Sequence, residues 1–160
     1  MNRHHLNLQR ILGTGIVVVS ILWAGYLFAR SGGYIGVSQS PLGCSCHSSS
    51  PDANGAVTVD IQGPQTVEAG ATESYTISVS GGPAEPNGGF NLSADSGTLI
   101  PGANNQLDSG ELTHVDKNSR SWTFEWTAPG SEGTVSFYAV GQATDGSGSS
   151  GDSWNWYGGA

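Results

Sequence analysis

Downstream of residue 55 the chain alternates apolar and polar positions with a period of two. Val57, Val59 and Ile61 are separated by Thr58 and Asp60; Tyr75, Ile77 and Val79 are separated by Thr76 and Ser78. The same alternation marks Phe90, Leu92 and Ala94, then Trp122, Phe124 and Trp126, then Val135, Phe137 and Ala139. Successive side chains of a strand point to opposite faces, so each set predicts one buried strand face. Turn signals fall between the sets: Gly63-Pro64, Ala69-Gly70, Gly81-Gly82-Pro83, Pro101-Gly102 and Pro129-Gly130. No helical period follows residue 30. Short strands with turns between them predict an all-β antiparallel sandwich over residues 56–160. Trp154 and Trp156 alternate as well, and either close an edge strand or stand exposed for a partner.

The first thirty residues are of another kind. Ile11 to Ala29 is a run of nineteen residues without a charge. Wound as a helix it spans about 28 Å, close to the thickness of a hydrocarbon core. Arg3 and Arg10 precede it, which predicts a cytoplasmic N-terminus and an outward body. A cleaved signal peptide competes with an uncleaved anchor, but the run is long for the former, and Leu27-Phe28-Ala29 places Leu where a small residue is preferred. The expectation is therefore a transmembrane segment at residues 1–30, a Gly/Ser-rich loop at 31–55, and the sandwich.

Charge follows that division. Residues 1–30 hold three arginines and no acid, hence +3, while residues 31–160 set Lys117 and Arg120 against all 13 acids, hence −11. One lysine in 160 residues argues against nucleic acid, whose phosphates demand clustered bases. Hydrophobic residues at 36% suffice for a core despite 25 glycines. Asn91-Leu92-Ser93 matches a glycosylation acceptor but sits inside a predicted strand and carries no weight.

The only cysteines are Cys44 and Cys46, followed at once by His47. Covalent haem attachment uses Cys-x-x-Cys-His, the thiols bonding the vinyl groups and the imidazole ligating iron. Here the spacer is one residue. In an extended stretch, residues two apart point to one side, so both sulfurs would face one porphyrin edge. Three other readings stay open: a strained disulfide across one residue, a Cu(I) or zinc site, and inert thiols. For a haem, the second axial ligand follows by elimination. Met1, His4 and His5 lie on the wrong side of the membrane, and Lys117 is normally protonated. His114 is the remaining imidazole. Alternating aromatics such as Trp122 are ordinarily core, with a cofactor wall as the minority role. No nucleophile, base and acid set is legible, so no enzyme is expected.

Several blocks resemble a known family. Gly43-Cys44-Ser45-Cys46-His47, Gly88-Gly89-Phe90, Leu112-Thr113-His114, the stretch Trp122 to Pro129, the stretch Gly133 to Tyr138, and Gly151-Asp152 fall in the order seen in bacterial Reeler-like domains, often labelled choice-of-anchor V. The resemblance covers roughly residues 37–157 and implies a small secreted Ig/Reeler-like β-sandwich opened by a haem-attachment-like element. It also implies a histidine in the position of His114. The expectation is a bis-His monohaem c-type electron-transfer protein: Cys44 and Cys46 attach haem c, His47 and His114 ligate iron, and Trp122 walls the group. Redox partners are not legible, and a homo-oligomer or polymer stays open. The alternatives are a haem-free adhesion or assembly module and a Cu(I)-binding periplasmic protein.

Overall fold

The computed structural model describes residues 31–53, 56–83 and 87–159. The apolar run of residues 11–29, with the expected membrane segment, lies outside them. Nine strands form: β1 (Val57–Gln62), β2 (Thr72–Gly81), β3 (Gly88–Ala94), β4 (Thr98–Pro101), β5 (Asn105–Asp108), β6 (Glu111–His114), β7 (Ser121–Thr127), β8 (Phe137–Ala143) and β9 (Ser153–Trp156). They pair into a four-stranded sheet, β1-β2-β7-β4, and a five-stranded sheet, β5-β6-β3-β8-β9. Every strand-to-strand pairing is antiparallel. A parallel bridge from Val59 to Tyr157 links the two sheets along one side. Among the described residues no helix is long and apolar enough to cross a membrane.

The two-residue period maps directly onto burial in the first sheet. Val57, Val59 and Ile61 are buried from β1, Tyr75, Ile77 and Val79 from β2, and Trp122, Phe124 and Trp126 from β7. Their neighbours face water in β7, whose strict alternation gives one solvated face. Tyr75 stacks on Phe124 at 5.6 Å and meets Phe137 edge-on at 5.3 Å, and Trp126 meets Phe137 edge-on at 5.5 Å. Such pairs contribute about 0.5–1.5 kcal/mol each beyond the area they bury. Val135, expected in the same strand as Phe137, precedes β8 and packs against the core without pairing.

The five-stranded sheet departs from simple alternation. Residues Gly88 to Ser93 of β3 are buried on both faces. The inner face meets the core through Phe90 and Leu92. The outer face is covered by the N-terminal part of the loop, which crosses the sheet as a strap. Asn91, 1% exposed, is its anchor. Its Oδ1 accepts the Val37 and Ser38 N–H groups at 3.0 and 2.8 Å, while its Nδ2 donates to the Leu112 carbonyl at 3.3 Å. Ser38 and Ser93 hydroxyls bond at 2.8 Å beside it, and the Tyr34 N–H donates to Thr113 Oγ1 at 3.2 Å. Asn91 is thus spent on backbone partners and closed to modification in the fold. β9 closes the edge beyond β8, with Trp154 fully covered and Trp156 half-buried.

Candidate functional site

The Cys-Ser-Cys-His stretch is a run of tight turns. Gly43 N–H donates to the Ser40 carbonyl at 3.1 Å, Ser45 to Leu42 at 3.1 Å, and His47 to Cys44 at 2.9 Å. The extended stretch that would set both sulfurs on one side is not what forms in this loop: the winding is about three residues per turn, in which side chains two apart diverge. Cys44 is half-buried and Cys46 exposed, and the two are not bridged. Gly43, at φ +48°, presses on Trp154 so closely that a Cβ would overlap the indole. This contact sets the turn against β9.

Burial, and then the neighbouring Cys46, push the Cys44 thiol up to about 12. With no metal bound it is a thiol at neutral pH. No three His, Cys, Asp or Glu side chains converge among the described residues.

His47 ends the turn, and its Nδ1 lies 2.6 Å from Oδ2 of Asp152. The Asp152 side chain is fully buried and that of His47 is 13% exposed. The other carboxylate oxygen, Oδ1, accepts the Asp145 N–H at 3.1 Å. Two further bonds lock the same segment to β9: Trp154 Nε1 donates to the Ser48 carbonyl at 2.9 Å, and the Asp52 N–H donates to the Trp154 carbonyl at 2.9 Å. Asp152 was not singled out as a site residue from the sequence. It sits 105 positions from His47, beyond the reach of any local spacing, and its one sequence sign is the Gly151-Asp152 block at the end of a Ser/Gly run.

His114 ends β6, 6% exposed. Its imidazole occupies a place made by a missing side chain, because a Cβ on Gly89 would overlap the ring. The Phe90 N–H donates to Nδ1 at 3.1 Å, and the Phe90 carbonyl lies 3.3 Å from the same nitrogen. Nδ1 can therefore accept from the one or donate to the other, and Nε2 holds a lone pair in the second case. Burial lowers the His114 pKa; the Phe90 hydrogen bond and Asp116 oppose this, and the His47 charge adds to the lowering. A charge on His47 is felt at His114, 67 residues further along the chain.

No protein-family model matches this chain, and no curated protein matches it.

Trp122 completes the group. Its ring lies 4.7 Å from Phe90 and 6.3 Å from His114. The residue is 2% exposed, and its Nε1–H meets no acceptor among the described residues. A buried donor without a partner costs about 1–3 kcal/mol, so this atom is poised for an acceptor. Elsewhere, a shallow groove of about 470 Å³ lies between residues 38–41 and the Tyr138, Trp156 and Tyr157 rings. None of Cys44, Cys46, His47, His114 and Trp122 lines it. The fold thus gathers His114 with Trp122, holds His47 on Asp152, and sets the thiols on the turn that leads to His47.

Proposed function

We propose that this chain is a monohaem electron-transfer protein: a Reeler-like sandwich, tethered by residues 1–30 and facing outward, with haem c held by the 31–55 loop. The residue types present suit such a group, with the turn pointing Cys44 and Cys46 apart, so that a single thioether bond is the simpler attachment. Two unbridged thiols sit on one turn, the imidazole after them is oriented by a buried carboxylate, and its charge is felt at a second, buried imidazole. That triple coincidence is the observation that carries the reading. His47 and His114 would ligate iron, Cys44 or Cys46 would attach the ring, and Trp122, with its unspent donor, would face the group. Haem supplies reversible one-electron exchange when bound. The protein's part is to hold His47 at a set angle, to keep His114 neutral by burial, and to exclude water behind Phe90 and Trp122.

A haem-free adhesion or assembly module is the second reading. It is favoured by the bonds of His47, Ser48 and Asp52 to Asp152 and Trp154, which hold the loop without any cofactor. Expression of the full chain with a c-type maturation system separates the two. The electron-transfer reading expects an intact mass raised by one haem and visible absorption that survives denaturation. Apoprotein mass with no such absorption selects the haem-free module. Cys44→Ala and Cys46→Ala, made separately, distinguish one thioether bond from two.

A further inference from the structure

We infer that Asp152 is a positioning residue: it fixes His47 as the tautomer protonated on Nδ1 and so leaves the Nε2 lone pair free for a metal. The inference takes the identity of the metal, haem iron, from the reading above, but its hold on the imidazole does not depend on it. An ionised carboxylate only accepts, which in the 2.6 Å contact assigns the proton to His47 Nδ1. The Asp145 N–H takes Oδ1. Each oxygen thus has a donor, and the fully buried side chain is held in place. A carboxylate against the far nitrogen fixes the ring's orientation and raises the basicity of the ligating one.

Asparagine has nearly the same shape but one acceptor and one donor group. If its oxygen keeps the Asp145 N–H, its NH₂ faces His47 Nδ1, which must then accept, and the proton moves to Nε2. Asp152→Asn therefore converts the held nitrogen from donor to acceptor and removes the ligating lone pair.

Nitrogen-15 NMR of the full chain, read above the pH at which the imidazole loses its second proton, reports the tautomer directly. The parent is expected to carry the His47 proton on Nδ1 and Asp152→Asn to carry it on Nε2. In haem-loaded material the same variant is expected to lose the low-spin six-coordinate spectrum while the covalently attached haem remains. A parent protonated on Nε2 overturns the inference without recourse to any variant, and so does a folded Asp152→Asn chain with unchanged His47 shifts. Should the tautomer switch as expected while no haem ever attaches, the electron-transfer reading falls and the role of Asp152 in orienting His47 stands.

Discussion

Replacing Asn91 with alanine removes the anchor of the strap that leads to the cysteine turn. Three bonds disappear: two N–H donors from Val37 and Ser38, and one donation to Leu112. A protein hydrogen bond contributes about 0.5–1.5 kcal/mol net, and a buried group left unpaired costs about 1–3 kcal/mol. Ser38 is 4% exposed, so its N–H is orphaned in full, whereas Val37 is half-buried and regains water in part. The Ser38 penalty is thus the largest contribution, and the sum is about 2–4 kcal/mol. At about 2–4 °C per kcal/mol for a chain of this size, the thermal midpoint falls by roughly 5–15 °C. Urea unfolding followed by tryptophan fluorescence checks it: the midpoint should drop with the slope unchanged. Limited proteolysis should at the same time open cleavage around residues 34–40. A loss below about 1 kcal/mol, with the strap still protected, would mean that the Ser38–Ser93 and Tyr34–Thr113 bonds hold it unaided, and the accounting is wrong.

Three other outcomes test the site. Gly89→Ala should destabilise by about 1–3 kcal/mol because its Cβ overlaps the His114 ring, and the double variant with His114→Ala should recover most of that loss, as the denaturant midpoints of the three variants would reveal. Trp122→Phe should cost less than about 1 kcal/mol in the cofactor-free chain, since the small void it leaves is offset by removal of an unpaired N–H; a larger calorimetric loss would indicate that the indole donor already has a partner. His114 has a lowered pKa in the fold, so below its ordinary 6.5 the unfolded chain binds the extra proton and the native chain does not. Stability should therefore rise with pH from the lowered value up to about 6.5, with a slope of at most about 1.4 kcal/mol per unit from this group. His114→Gln should flatten that slope in pH-dependent unfolding, and an unchanged slope would place the titration elsewhere.

The alternation of Val57, Val59 and Ile61, and of Trp122, Phe124 and Trp126, was legible because a strand's facing is decided by its own two-residue repeat. The same holds for Tyr75, Ile77 and Val79, so three of the four strands in the first sheet could be read locally. The four-residue β9 showed through its two tryptophans, but β4, β5 and β6, equally short and without such a pair, did not stand out from a turn-rich background. The burial of β3 on both faces was also hidden, since the strap that covers it comes from more than fifty positions away. At the site, residue types announced Cys44, Cys46 and His47, and elimination singled out His114. Their conformation was not announced. The turn winding of residues 40–47 depends on Trp154 packing against Gly43, a contact between opposite ends of the described chain. The pairing of His47 with Asp152 is of the same kind. Chemistry at one position is written in the side chain itself; which two side chains meet, and which nitrogen is left free, is decided only when the sheets close and a buried carboxylate is brought against the ring.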